Sequence, residues 1–323
     1  MKERWAAGID VGGTKIEAAA VDADGMAHEA IRTATDVAAG PKGITAAIVE
    51  AVRLLADRAG SPPAGIGIGI AGQIDAATGS VRFAPNLGWH DVPLASDIKA
   101  ALGVAVVVTN DVRAAAFGEW RHGAGRGLDD LVCVYVGTGI GGGIVSGGRL
   151  LAGCANTAGE IGHIVVEVDG PVCTCGGRGC LEAIAGGWAI GRAAREAIEN
   201  SVEGSGAILD AAGGAIEAVS AEAVAKAAAA GDALALRILE KAGDALAAGC
   251  VSLVNAFNPC RLVLGGGVID GVPRLIDRVR KEVSSYALPA AAASAEVVAA
   301  DLGRAAGVVG AGSLALDIVG GKP

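Results

Sequence analysis

The stretch WAAGIDVGGTKIEAAAVDADG, residues 5–25, predicts an apolar strand, a glycine turn, a second strand over residues 16–21 and another turn. The stretch LVCVYVGTGIGGGIVSGGRL, residues 131–150, repeats this order of strand, Gly-Thr-Gly turn, strand and Gly-Gly turn. Because a plan that recurs within one chain indicates duplicated architecture, the two stretches predict two domains of related topology.

Alternating strand and helix patterns fill the rest of the chain. Strands are predicted over residues 64–72, 104–111 and 261–264, and helices over residues 43–60, 112–120, 184–256 and 307–319. The long Ala-rich helical region is interrupted near residues 203–214. This order predicts an α/β fold in which helices cover the sheets.

The domain boundary is predicted near residues 111–118. Residues 1–114 together with about 304–323 would form a small first domain, and residues 115–303 a larger second domain. A chain of 323 residues can bury two such cores. With 52% hydrophobic but only 3% aromatic residues, those cores are expected to consist of Ala, Val, Ile and Leu.

Charge and hydropathy exclude two classes of partner. The net charge of −9 argues against nucleic acid, which is bound through clustered Lys and Arg. Residues 131–148 carry no charge, but seven of these residues are Gly and the pattern is that of strands, so no membrane span is expected. Asp10 interrupts the first apolar run before it could form a signal segment, and we expect a cytoplasmic protein.

The glycine turns are candidates for phosphate binding. Gly12, Gly13, Thr14 and Lys15 join two strands, so they form neither a P-loop nor a dinucleotide fingerprint, but their N–H groups could cup a phosphate. Asp10 precedes them and suits a magnesium ion or its waters. Taken alone, such a glycine hairpin is usually just a tight turn. A second such turn on a duplicated domain favours a function for both, namely binding a triphosphate between them.

Asn110 and Asp111 follow a strand and precede a helix. Both residues are preferred helix N-caps, and capping alone would account for them. Alternatively, Asp111 faces a cleft at the carboxyl end of the strand and accepts a proton from a substrate hydroxyl.

The segment AGEIGH, residues 158–163, precedes CTCGGRGC, residues 173–180. His163, Cys173, Cys175 and Cys180 make up a normal structural zinc set, although their spacing is not that of a zinc finger. The alternative is a cluster of reduced thiols beside a histidine, and the close glycines favour zinc. The remaining cysteines, 133, 154, 250 and 260, are expected to be small core residues.

The motifs DVGGTK, GTGIGGG, EIGH, CTCGGRGCLE and LGGG, in this order, resemble the ROK family of sugar kinases and repressors. The likeness runs from Gly8 to near Gly312. It implies the actin/hexokinase-like (ribonuclease H-like) duplicated two-domain ATPase fold, with a cleft between the domains. It also implies an ATP-dependent kinase that phosphorylates the 6-hydroxyl of a hexose, and a homodimer.

The resemblance assigns roles to single residues. Asp111 would be the catalytic base, with Asp10 near Mg²⁺ and a structural Zn²⁺ on the four ligands. The sugar would contact Asn86, Asn110, Asp111, Glu160, His163 and Glu182. ATP would contact Gly12, Gly13, Thr14, Lys15, Thr138, Gly139, Gly265, Gly266 and Gly267.

Several alternatives stay open at this point. Glucose is the expected hexose, while N-acetylmannosamine, N-acetylglucosamine and fructose kinases share nearly every motif. A DNA-binding regulator of this family would carry a helix-turn-helix domain before the first strand, and a non-catalytic sugar sensor would be expected to lack Asp111 or a phosphate turn. Polyphosphate could replace ATP. Where the family often has small residues, this chain has Val112-Arg113, and Arg113 is expected to face solvent.

Overall fold

The computed structural model describes residues 4–321. Residues 1–3 and 322–323, which belong to the predicted first domain, lie outside the described residues. The strands are β1 Trp5–Val11, β2 Lys15–Asp22, β3 Ala27–Ala34, β4 Ile66–Ile70, β5 Gln73–Ile74, β6 Val81–Ala84, β7 Trp89–Val92, β8 Val106–Asn110, β9 Leu131–Val136, β10 Ile140–Ser146, β11 Arg149–Leu150, β12 Arg261–Gly265 and β13 Glu296–Ala299.

The helices are α1 Gly40–Ala59, α2 Leu94–Leu102, α3 Asp111–His122, α4 Glu182–Ala185, α5 Gly187–Glu199, α6 Ser205–Ala211, α7 Ala221–Ala229, α8 Ala233–Phe257, α9 Gly267–Gly271, α10 Arg274–Tyr286, α11 Pro289–Ser294 and α12 Ala306–Val319. The 3₁₀ turns Pro85–Leu87 and Ile161–His163 also carry candidate site residues.

Two five-stranded sheets repeat one topology. The first has the order β3-β2-β1-β4-β8 and the second the order β11-β10-β9-β12-β13. In each, the first three strands form an antiparallel meander and the last two run parallel to the meander's first strand. The recurrence inferred from the two glycine hairpins is therefore present in the strand order.

Helix α12 brings the end of the chain back to the first sheet. A Cβ atom on Gly8 would overlap the carbonyl oxygen of Val308, and one on Gly67 would overlap that of Ala311. Only glycine lets the helix backbone approach the strands this closely. The expected return of the C-terminal helix to the first half is thus observed.

Helix α3 lies between the two sheets. On one side its Ala114 faces Gly69 of β4, and on the other side Val112 and Ala116 face glycines of β10. A substitution that lengthened any of these glycines would separate the two sheets. The position of Asp111, the first residue of α3, is consequently fixed from both sides.

Two aliphatic cores confirm the composition argument. One surrounds β1, β4 and α1, and the other fills the space between β9, β12 and the long helix α8. Trp5 and Trp89 are the aromatic residues buried in these two cores of the described chain, and each is only 1% exposed.

Two expectations, about buried cysteines and about the helix pattern, need correction, and some strands were not predicted. Cys133 and Cys250 are buried as expected, but Cys154 and Cys260 are exposed, because both lie in loops rather than in a core. The interruption near 203–214 contains helix α6. Strand β3 and the three-stranded sheet β5-β6-β7 were not predicted, because β3 is almost wholly exposed and therefore lacks an apolar pattern.

Within residues 4–321, no helix is both long and apolar enough to cross a membrane.

Candidate active site

Three neighbouring strands of the first sheet end at one edge. Asp10 of β1 pairs with Gly69 of β4, and Ile70 of β4 pairs with Asn110 of β8, all in parallel register. Asp111 follows immediately as the first residue of α3. Ligands of open α/β sheets bind at such carboxyl ends of strands. A Cβ on Gly69 would lie 3.2 Å from the Asp111 Cα, so the glycine leaves room for this turn into the helix.

The carboxylates of Asp10 and Asp111 lie close enough to influence each other. Burial, followed by the charges of Asp111 and Glu17, raises the pKa of Asp10 to about 7, although Lys15 opposes the shift. Burial also raises the pKa of Asp111, and the charge of Glu160 adds to the effect. A pair of carboxylates with raised pKa values is suited to binding a cation and to accepting a proton.

Asn110 caps helix α3, which is one of the two roles predicted for it. Its Oδ1 accepts hydrogen bonds from the backbone N–H groups of Val112 and Arg113, over 3.0 and 3.1 Å. Its Nδ2 lies 3.4 Å from the Gly72 carbonyl oxygen. These contacts fix the start of α3 and therefore the Asp111 backbone. A sugar contact of Asn110 stays a prediction.

The first glycine turn closes on itself and faces Asn86. The Gly12 N–H donates to the Lys15 carbonyl oxygen over 2.9 Å, while the Thr14 side chain is exposed. A Cβ on Gly13 would lie 3.5 Å from the Asn86 Cβ, which places the exposed Asn86 beside the turn. The Lys15 ammonium pairs with Glu17 at 2.9 Å, so it lies along the strand in this structure.

The second and third glycine turns are neighbours at the edge of the second sheet. The Gly137 N–H donates to the Gly139 carbonyl oxygen over 2.9 Å, and Thr138 is exposed at the tip. Gly265 pairs with Tyr135 in the parallel register of β9 and β12. Gly266 has a φ of +95°, and its missing Cβ lets it lie against the Val136 carbonyl. Gly267, which begins α9, completes this turn.

Glu182 stands behind the second glycine turn. Its Oε2 accepts the Ile140 backbone N–H over 2.8 Å, and its Oε1 accepts the Trp188 indole N–H over 3.2 Å and the Thr174 hydroxyl over 3.4 Å. The half-buried Glu182 carboxylate thus connects the second glycine turn to residues 173–180, the cysteine segment. The sequence contains no signal that would have identified Thr174 and Trp188 as its partners.

Glu160 precedes the 3₁₀ turn Ile161–His163, which also packs on the second glycine turn, and His163 ends it. A Cβ on Gly162 would overlap the Ile140 carbonyl oxygen, so this short helix lies against the residue that follows Gly139. The exposed Glu160 is near enough to Asp111 to raise its pKa. This electrostatic contact connects the groups of the first sheet to those of the second.

The four proposed metal ligands form one compact cluster. Each of His163, Cys173, Cys175 and Cys180 offers one ligand atom, and these atoms all lie within 4.8 Å of one another. The His163 Nδ1 is 3.7 Å from the Cys173 Sγ, and the Sγ atoms of Cys175 and Cys180 are 3.7 Å apart. A tetrahedral zinc site with Zn–S bonds of about 2.3 Å has sulfurs about 3.8 Å apart. The donor set and its spacing therefore fit zinc.

Backbone contacts of the cysteine segment hold its sulfurs in place. The Gly177 N–H donates to the Cys175 Sγ over 3.4 Å, and the Cys173 N–H donates to the Gly177 carbonyl oxygen over 2.8 Å. Gly176 has a φ of +88°, which allows the tight turn between them. His163 directs Nδ1 to the cluster, which leaves Nε2 for another partner.

The expectation that Arg113 faces solvent is wrong. Its side chain is only 7% exposed, because α3 turns this residue toward the loop before Glu160 rather than outward. There the guanidinium donates to the backbone carbonyl and side-chain oxygen of Asn156. Asn156 was not singled out in the sequence.

Known proteins are similar to this chain over nearly its whole length. The family model described as ROK family matches residues 6–318. The glucokinase of Thermotoga maritima is 38% identical over 97% of this chain and 98% of its own length. The glucokinase of Streptomyces coelicolor is 35% identical over 95% of this chain and 96% of its own length.

A solved structure supports assignment of the chain to the same family. The ROK family glucokinase of Streptomyces griseus, crystallised with glucose and AMPPNP, superimposes with a TM-score of 0.84 at 37% identity and covers 97% of this chain and 99% of its own. This similarity confirms the predicted duplicated α/β fold. With the family model spanning nearly the whole length, the chain belongs to the ROK family.

Proposed function

We propose that this chain is an ATP-dependent glucokinase that transfers the γ-phosphoryl group of ATP to the 6-hydroxyl of glucose. The observation that carries the proposal is the position of Asp111, which directly follows the end of β8 at the edge of the first sheet and has a pKa raised by burial, as suits a general base. The similarity to proteins named glucokinase supports glucose as the substrate.

In the proposed mechanism, the Asp111 carboxylate accepts the proton of the 6-hydroxyl as that oxygen attacks the γ-phosphorus. The bond between the γ-phosphorus and the β,γ-bridging oxygen breaks, and ADP leaves. Phosphoryl transfer depends mainly on positioning and on charge stabilisation, and an aligned carboxylate contributes roughly 10²–10⁴-fold. Asn86, Asn110, Glu160, His163 and Glu182 are proposed to hold the sugar hydroxyls.

The phosphates of ATP are proposed to lie between the turns at Gly12 to Lys15 and at Thr138 and Gly139, with Gly265 to Gly267 on the adenosine side. Backbone N–H groups of such turns favour anions. Asp10 is proposed to hold Mg²⁺ or its waters, as its raised pKa and position at the strand end suggest a cation partner.

Zinc is proposed to be structural. With four protein ligands the metal has no open position, so it would fix the orientation of His163 rather than act on the substrate. Through Thr174 and Glu182, the same segment also supports the second glycine turn.

We further propose that the first domain comprises residues 1–114 and about 304–323 and the second residues 115–303, with the nucleotide and sugar in the cleft between them. The return of α12 to the first sheet supports this division. A cytoplasmic homodimer is proposed on the family resemblance. Light scattering of the purified protein tests the dimer.

The experiment that tests the proposed function is a coupled ADP-release assay with Mg-ATP and glucose, mannose, fructose, N-acetylglucosamine and N-acetylmannosamine. We expect the highest kcat/KM with glucose. Preference for an N-acetylated sugar would contradict the proposed substrate, and no turnover with any sugar would contradict the proposed reaction. Repeating the assay with polyphosphate tests the donor.

A further inference from the structure

Arg113 is a buried cation two residues after the proposed base. Its Nη1 donates to the Asn156 carbonyl oxygen over 3.0 Å and to the Asn156 Oδ1 over 2.6 Å. The Nε atom is buried and has no hydrogen-bond partner within residues 4–321. Burying a guanidinium is costly, so a neutral partner such as an asparagine offsets this cost only in part. The stability of the fold alone gives little reason for an arginine at this position.

Asn156 extends the contact to a third segment. Its Nδ2 donates to the carbonyl oxygen of Ile74 over 2.9 Å. Ile74 belongs to β5, in the small sheet whose next connection, between β6 and β7, carries Asn86. The contacts Arg113–Asn156–Ile74 therefore join α3, the loop of residues 151–160 and the small sheet. These three segments carry Asp111, Glu160 and Asn86.

The loop of residues 151–160 adopts left-handed backbone conformations at Asn156 and on both sides of it. Gly153 and Gly159 have φ values of +73° and +95°, and Asn156 itself has a φ of +60°, which Asn tolerates better than most residues. The Ala158 N–H closes the loop on the Ala152 carbonyl over 3.0 Å. Asn156 lies in the middle of this loop, so a contact that holds Asn156 restrains the path of the chain toward Glu160.

The charges near Arg113 support the same view. Glu160 is the group whose charge opposes the effect of burial on the Arg113 guanidinium, and it also acts on Asp111. The cation and the two carboxylates thus share one region, in which Arg113 attracts the loop end that carries Glu160.

We propose that Arg113 is a positioning residue for the sugar, which acts by holding the loop of residues 151–160 through Asn156. The inference rests on the proposed function. Arg113 itself makes no contact with the reacting atoms. The tether presents Glu160 to the sugar hydroxyls before the sugar arrives, and pre-organisation of this kind strengthens binding by reducing the ordering cost.

The test compares Arg113→Met and Asn156→Gly with the wild-type protein. Met replaces the aliphatic part of the arginine side chain but removes the donors, and Gly fits the positive φ of Asn156 while removing its side-chain amide. Arg58→Met is the control, since Arg58 is an exposed residue of α1 paired with Glu29. Hydrogen exchange of residues 153–160 in sugar-free protein, equilibrium glucose binding without ATP, and the KM for ATP at saturating glucose are measured.

Both variants are expected to exchange faster in residues 153–160 and to bind glucose about 10- to 100-fold more weakly, as the loss of hydrogen bonds to a charged group implies. The KM for ATP should stay within about twofold, since the tether contacts no phosphate turn. The double variant should lose less affinity than the sum of the two single losses, because both changes remove the bond between the Arg113 guanidinium and the Asn156 Oδ1. Arg113→Lys should recover part of the affinity.

Unchanged loop exchange and glucose affinity, or a lower melting temperature with unchanged affinity, would overturn the proposal, as would equal losses for glucose and ATP. If Arg113→Met fails to fold, Asn156→Gly decides alone. Failure of the proposed function is distinguishable, because wild-type protein would then neither bind nor phosphorylate glucose, whereas the exchange measurement still tests the tether.

Discussion

The Glu182 Oε2 accepts a hydrogen bond from the backbone N–H of Ile140 over 2.8 Å, directly behind the second glycine turn. Changing Glu182→Gln replaces a charged acceptor by an amide whose NH₂ would face an N–H donor, at Ile140 or at Trp188. We expect KM to rise about tenfold or more for both glucose and ATP, since bonds to charged groups are the stronger ones. Steady-state kinetics with each substrate varied measures both values.

The control for this change is Glu222→Gln, which affects an exposed ion pair with Lys226. It should leave both KM values unaltered. If Glu182→Gln weakens only glucose, the proposed connection between the cysteine segment and the phosphate turn is wrong.

Asp111→Asn should reduce kcat by about 10²–10⁴-fold while glucose affinity changes little and the melting temperature does not fall. Asn has almost the same shape but accepts no proton. Single-turnover kinetics and glucose calorimetry separate the two effects, with Asp277→Asn in an exposed ion pair as the control. Activity close to that of the wild type would remove Asp111 from the mechanism.

The pH dependence of kcat/KM follows from the raised pKa of Asp111. A general base works only when ionised, so activity should fall as the pH drops through this pKa, at a pH above the ordinary value of 3.8 for aspartate. A pH–rate profile measures this acid limb. The residual activity of Asp111→Asn should lack it, and an unchanged limb in that variant would assign the ionisation to another group.

Asp10 should destabilise the magnesium-free protein at neutral and alkaline pH. Its pKa of about 7 in the folded protein exceeds the ordinary value of 3.8, so its favourable contribution is complete below about pH 4 and lost as the pH rises through 7. At pH 8, Asp10→Asn should therefore melt at a higher temperature than the wild type. Its free energy of unfolding should exceed that of the wild type by at most about 4 kcal/mol.

Thermal melts of both proteins from pH 4 to 8 in magnesium-free buffer measure this difference, which should shrink toward pH 4. A constant difference across the range would mean that the Asp10 ionisation is not its cause.

Removal of zinc should make residues 163–182 more mobile and weaken glucose binding. His163 is one of the proposed metal ligands, and Glu182 closely follows another ligand, Cys180. We expect Cys175→Ser to lose zinc and melt several degrees lower, whereas Cys260→Ser, an exposed cysteine outside the cluster, should keep both. Elemental analysis and calorimetry measure metal and sugar. Wild-type glucose affinity in metal-free protein would argue against the structural role of zinc.

Local sequence patterns predicted most of the fold, because an apolar strand next to a glycine turn can be recognised from consecutive residues. The hairpins at residues 5–25 and 131–150 appear as β1-β2 and β9-β10, and the duplicated order follows from them. Strand β3 escaped prediction because pairing with β2, not burial, makes it a strand.

The candidate site was less predictable than the fold. The cysteine cluster was predicted because its members are close in sequence and share one chemistry. The contacts of Arg113 with Asn156, and of Asn156 with Ile74, join residues 43 and 82 positions apart. No local pattern records such contacts, and a charged residue in the first turn of a helix most often faces solvent.

The glycines that allow α12 to pack on the first sheet also determine when folding of that sheet can be completed. Gly8 and Gly67 emerge early in synthesis, while Val308 and Ala311, whose carbonyls cover them, emerge only after the strands of both sheets. Until then one face of β1 and β4 lacks its cover, and contacts of such long sequence separation form slowly. A chain shortened before residue 306 is thus expected to misfold or aggregate through its first half, although every residue of that half is present.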